Sequence, residues 1–161
     1  MDTTIFNGRR QSTSVTYLHS TMHRKNLTVI TNTSVSKILI ENNKATGIQC
    51  IINKESKNFY AEKEVLLSAG AINSPHILML SGIGAENELK KYSIKPQSIL
   101  NGVGQNLQDH LETYVQYECK KPVTLYSSYN PIKMALIGVQ WFLFKNGVAA
   151  HSNLETGGFV R

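Results

Sequence analysis

The residues best suited to meeting a ligand lie between Glu64 and His110. Val65-Leu66-Leu67 is a short β-prone apolar run, and Ser68-Ala69-Gly70-Ala71 follows it with small residues only. Such a turn strips away side-chain bulk where a strand hands over to a helix, so backbone N–H groups there can face a phosphate or a flavin. Ala69 and Gly70 are therefore candidate cofactor contacts. Ser74-Pro75 supplies an N-cap and a pre-set first helical residue for a helix running through Leu80. Ser81-Gly82-Ile83-Gly84 and Asn106-Leu107-Gln108-Asp109-His110 complete the stretch.

Other chemistry-bearing residues lead nowhere on their own. His19 and His23 have a metal-ligand spacing on an expected helix, but with no third ligand in view they read as surface histidines. Cys50 and Cys119 are far apart and form no Cys-x-x-Cys pair, which suggests two buried, reduced thiols rather than a disulfide framework. Gly82-Ile83-Gly84 and Gly102-Val103-Gly104 lack the third glycine of a dinucleotide fingerprint and read as turns. Tyr114, Tyr117, Trp141 and Phe159 read as core aromatics before they read as a binding cage.

The elements that must position these residues form a mixed α/β pattern. Val15, Leu18 and Met22 share one face of an expected helix over 13–23, with Ser12 as its cap. Four strands should follow: 26–31, 35–41, 45–53 and 59–61, the second and third joined at Asn42-Asn43 and the last two by a polar turn over 54–58. That meander feeds a strand at Val65, buried on both faces. Glu86 and Glu88 precede Lys90 and Lys91, the charge order the helix dipole favours, so 86–92 reads as a short helix. An extended segment over 97–100, the Asn101-Gly102 turn and an alternating strand over 112–119 come next. Asn130-Pro131 opens a last helix, in which Ile132, Ala135, Leu136, Val139 and Leu143 form one stripe, and Asn146-Gly147 stops it.

With 161 residues and 41% hydrophobic content, the chain is large enough for a genuine core. The net charge of +6 is scattered, without a basic stripe interleaved with aromatics, so it reads as solvated surface and no nucleic-acid partner is expected. No stretch has the length of a membrane span or the design of a secretory signal.

Taken jointly, Gly70-Ala71, Ser74-Pro75, Ile77-Leu78 and Ser81-Gly82-Ile83-Gly84 resemble the second signature of the glucose-methanol-choline (GMC) oxidoreductases, and Asn106 to His110 resembles a later motif of that family. The resemblance implies an FAD-dependent enzyme that oxidises alcohols at CH–OH groups. On it, residues 1–111 correspond to part of an FAD-binding domain, without its Gly-x-Gly-x-x-Gly motif, and 112–161 to part of a substrate-binding domain. The chain then reads as an internal fragment, inactive alone, and no residue matches the family's catalytic histidine. Val35 matches a valine whose main chain meets the adenine edge of FAD; as chemistry alone it reads equally as a core valine. Asn106 joins Ala69 and Gly70 as a cofactor candidate through its motif.

The segments Asp109–Tyr126, Gly138–Trp141, Gly147–Ala149 and Leu154–Arg161 resemble the choline-oxidising bacterial branch of the family. This implies choline as substrate and betaine aldehyde as product, on the route to glycine betaine. It also implies a cytoplasmic enzyme whose electron acceptor allows peripheral association with the inner face of the membrane. Glu155 matches the carboxylate that faces the trimethylammonium group in such enzymes. A structural ion pair with Arg161 is the other reading of Glu155. A family member acting on another alcohol or polyol, and a non-catalytic remnant, are the alternatives at the level of the whole chain.

Overall fold

The computed structural model describes residues 4–113, 115 and 117–152. In chain order the elements are β1 (Ile5–Phe6), β2 (Arg9–Arg10), a π-helical turn over Ser14–Leu18 that runs into α1 (His19–Thr21), β3 (Thr33–Glu41), β4 (Lys44–Ile52) and β5 (Glu55–Tyr60). They are followed by α2 (Gly70–Leu80), β6 (Ile83–Gly84), α3 (Glu86–Lys91), β7 (Ser98–Ile99), a 3-10 turn over Leu125–Ser128, α4 (Pro131–Phe144) and a 3-10 turn over Val148–Ala150. The mixed α/β class expected from the sequence is what the chain adopts. It divides into two compact units, one built from residues 30–112 and the other from 1–29 with 113–161.

The first of these units is built on the antiparallel meander β3-β4-β5. A two-residue hairpin loop of type I′ needs φ > 0 at both central residues, and its twist matches the right-handed twist of the strands. Asn42 and Asn43 adopt φ of 50° and 60°, and Asn53 and Lys54 adopt 51° and 69°. The second loop is thus as tight as the first, and the polar segment 54–58 belongs mostly to β5 rather than to a turn. On β4 the buried Cys50 stands with the half-buried Ile48 and Ile52 on one face, while Ile51 points outward, as the period of two requires.

Beside the meander, α2 ends at Ser81 and its chain reverses through Gly82, whose φ is +84°. A Cβ there would lie 2.5 Å from the Lys95 carbonyl oxygen, so only glycine fits the close passage of the two chains. That passage places β6 alongside β7 as a parallel pair, with the Gly82 carbonyl accepting from the Gln97 and Ser98 amides at 2.8 and 3.2 Å. Leu89 of α3 is fully buried against Gly84.

In the other unit, the Trp141 indole N–H donates to the Gly8 carbonyl at 2.7 Å, and the Lys145 ammonium sits 4.1 Å from the Trp141 ring centre. Gly8 has φ +64° and its Cβ position is filled by the Lys145 carbonyl, so this joint also demands glycine. Asn130 caps α4 by accepting from the Ile132 amide at 3.0 Å, and Lys145 closes it in the left-handed conformation, one residue before the expected Asn146-Gly147 stop.

Several expectations are corrected. Residues 65–67 are extended but have no ladder partner among the described residues; Val65 and Leu67 are half-buried and Leu66 is 79% exposed, so one face is covered rather than two. The strands expected at 26–31 and 112–119 likewise find no partner among the described residues, and Val29, Ile30, Val115 and Tyr117 are exposed. Extended chain becomes sheet only where another strand satisfies its amides. The helix after the small-residue turn starts at Gly70, so Pro75 lies inside it and Ser74 does not cap its own first residue. In the stripe of α4, Ile132, Leu136, Val139 and Leu143 face outward, while Ile137 and Trp141 lie on the covered side. Ser12 caps the first helix as expected, through the Val15 amide, but the turn that follows is π-wound. Cys119 is exposed, and only Cys50 is buried.

Candidate active site

The candidate cofactor surface grows from the end of β5. Leaving Tyr60, the chain runs extended through Val65 and Leu67 and bends at Ala69 into α2. Ser74 reaches back one and a half turns, its hydroxyl accepting the Ala69 amide at 3.0 Å, which fixes the bend. Pro75 carries no N–H, so the Ala71 carbonyl at the first turn keeps no i→i+4 partner. Gly70 takes φ +90°, and a Cβ built on it would meet nothing within 4 Å. The backbone at the start of α2 is thereby open to approach from outside, and the amides of a first helical turn are suited to an anion.

Val35 and Ala69, separated in sequence, line one cavity of about 530 Å³ together with Ile38, Leu67 and Ile77. Its lining is largely apolar, Glu64 being the charged residue on it. Walls of that kind suit a flat uncharged ring, with backbone groups left to read its edge, and suit a phosphate poorly. Val35 is half-buried and pairs with Cys50. Immediately after it the ladder slips between Val35 and Lys37, and the Ser36 hydroxyl donates to the Gln49 carbonyl at 2.9 Å across the bulge. A bulge re-aims the backbone groups beside it. The residues present thus fit an adenine-type ring beside Val35 and an anionic group beside Gly70.

Asn106 stands apart from this cavity: it is exposed, in the left-handed conformation at φ 56°, in the turn-rich segment after Gly104. The Asp109 carboxylate accepts the His110 amide at 2.8 Å and both residues are exposed. Glu155, with Arg161 and Phe159, lies outside the described residues, as does Tyr114. His19 and His23 are exposed, and no group of three metal-ligating side chains occurs among the described residues. No helix among them is long and apolar enough to cross a membrane. Burial raises the Cys50 thiol above its ordinary pKa, which leaves it protonated and unreactive.

The residue that sequence reasoning missed is Ser81. Its place in Ser81-Gly82-Ile83-Gly84 was legible as a motif, but its buried hydroxyl was not: it donates to the Ile77 carbonyl at 2.6 Å and accepts the Ile38 amide at 2.8 Å. The hint available in sequence was a hydroxyl directly before a glycine at a helix end.

Comparison with known proteins bears on this arrangement. The chain is 48% identical over its whole length to the human protein "Choline dehydrogenase, mitochondrial", of which it spans 27%. It is 50% identical over 160 residues to the "Oxygen-dependent choline dehydrogenase" of Staphylococcus xylosus, spanning 28% of that protein. Among solved structures, an FAD-dependent oxidoreductase from Chaetomium thermophilum superimposes with a TM-score of 0.74 at 30% identity, over 89% of this chain and 26% of its own. A formate oxidase shares the fold, with a TM-score of 0.77 at 24% identity over 91% of this chain. The chain therefore spans little more than a quarter of the relatives it matches. The family profile described as GMC oxidoreductase matches residues 2–112, and the chain belongs to that family.

Proposed function

We propose that this chain is part of an FAD-dependent alcohol oxidoreductase whose substrate is choline, oxidised to betaine aldehyde. The observation that carries the reading is the identity of 48–50% to choline dehydrogenases from human and Staphylococcus xylosus, sustained over 99–100% of the chain. Residues 1–111 contribute to the FAD-binding part and 112–161 to the substrate-binding part. Val35, Ala69 and Gly70 hold the adenine half of the cofactor, Val35 by main-chain groups beside the bulge and Ala69-Gly70 by the open start of α2; Asn106 contributes from its own segment.

Held by Val35, Ala69 and Gly70, FAD would supply the acceptor for the hydride that leaves the alcohol carbon, and the hydroxyl proton would go to a base. None of the residues described here is assigned as that base. Choline's trimethylammonium group cannot donate a hydrogen bond, so recognition needs a carboxylate and apolar or aromatic faces, and Glu155 is the carboxylate proposed for it. In the whole enzyme an electron acceptor at the inner face of the cell membrane completes the cycle.

Glu155 is tested by exchanging the matching stretch of the Staphylococcus xylosus protein for this chain and comparing choline with 3,3-dimethylbutanol, an uncharged analogue of its shape. Glu155→Gln removes charge and keeps size. It should lower kcat/KM for choline by about one to two powers of ten, as expected for a partly desolvated ion pair, and hardly change the neutral alcohol. Equal losses on both substrates would assign Glu155 to a structural ion pair instead.

A further inference from the structure

In the sheet order β3-β4-β5, β3 is an edge strand among the described residues, and amides on its outer side find no ladder partner among them. One of them, the amide of the buried Ile38, is satisfied by the Ser81 hydroxyl at 2.8 Å. The same hydroxyl gives its proton to the Ile77 carbonyl at 2.6 Å. A serine at a helix end needs only the local bond to the carbonyl four residues back. The second bond, to a residue 43 positions away, makes the hydroxyl a tether between α2 and β3. Ser81 is 7% exposed, so water does not compete for either bond.

The two elements it joins both line the candidate cofactor cavity, α2 through Ile77 and β3 through Val35 and Ile38, beside β4, β5 and the extended chain before Ala69. Ile38 lies three residues beyond Val35 on β3, Ile77 lies in the helix that begins after Ala69, and all four line that cavity. We propose that Ser81 is a positioning residue for the adenine half of the cofactor, its bridging hydroxyl fixing the spacing between the Val35 backbone and the Ala69-Gly70 turn. The inference rests on the FAD reading given above, and Ser81 itself does not line the cavity.

The probe is ADP, titrated by calorimetry into the flavin-free form of the Staphylococcus xylosus protein that carries this chain in place of its matching stretch. Losing a bond of this kind, worth about 1.4 kcal/mol in a binding equilibrium, is a tenfold change. Ser81→Ala should weaken ADP by about that factor, and so should Ser81→Cys, which fills similar space but hydrogen-bonds poorly. Ser81→Thr keeps the hydroxyl and should restore the wild-type titration. A purely structural serine would lower the melting temperature in the first two variants and leave the ADP titration of the folded transplant unchanged, which would overturn the proposal alone. A transplant with Ser81 intact that binds no ADP would overturn the cofactor reading itself and this proposal with it. Should Ser81→Ala not fold, the Cys and Thr pair decides between the same outcomes.

Discussion

The Ser81 hydroxyl accepts the Ile38 amide at 2.8 Å and so joins the end of α2 to the open edge of β3. Removing it strands a buried amide and, with it, the hydroxyl bond to Ile77. An unsatisfied buried donor costs about 1–3 kcal/mol, so Ser81→Ala should lower unfolding free energy by that amount in urea denaturation followed by circular dichroism. A change within experimental scatter would mean that the tether carries no stability.

Gly82 and Gly70 both have positive φ, at +84° and +90°, yet they should respond differently to alanine. At Gly82 the new Cβ would meet the Lys95 carbonyl oxygen at 2.5 Å, whereas at Gly70 it would meet nothing within 4 Å. Gly70→Ala should cost only the backbone strain, about 1 kcal/mol, and Gly82→Ala clearly more, because strain and collision add. Equal melting temperatures for the two variants would contradict the close passage at Lys95.

The two cysteines should separate cleanly in thiol titration. Cys119 is exposed and should react with a disulfide reagent in the native chain, while the buried Cys50 should react only on unfolding. Desolvation raises the Cys50 pKa above its ordinary value of 9.0, so the folded chain holds that proton more tightly than the unfolded one. The sign follows from linkage: stability from this group is intact below pH 9 and declines as pH climbs from there toward the raised folded value. Cys50→Ser should flatten the alkaline decline; an unchanged profile would show that Cys50 does not cause it.

What the sequence made legible were features that depend on neighbours in the chain. Asn42-Asn43 needs only two residues tolerant of positive φ to close a hairpin, and Asn130-Pro131 needs only its own amide and ring to start α4. The small-residue turn at 68–71 was legible for the same reason. Features set by distant partners were not. Whether 26–31 or 65–67 becomes a strand depends on another strand lying alongside, and apolar content alone cannot supply that information. The outward stripe of α4 reads as a core face by periodicity, yet Trp141 turns the other side inward by its bond to Gly8. The tether at Ser81 spans 43 residues, and in the sequence it is a single serine before a glycine.

The central claim, that these residues belong to a choline-oxidising flavoenzyme, is met most directly by transplantation. The stretch of the Staphylococcus xylosus choline dehydrogenase that aligns with this chain is replaced by it, at 50% identity, and the purified protein is assayed for bound flavin and for initial rates of choline oxidation. The account predicts a yellow protein that converts choline to betaine aldehyde, with kcat/KM within about tenfold of the recipient enzyme, a barrier difference of about 1.4 kcal/mol. A folded, flavin-loaded transplant that oxidises neutral alcohols and leaves choline untouched would contradict it.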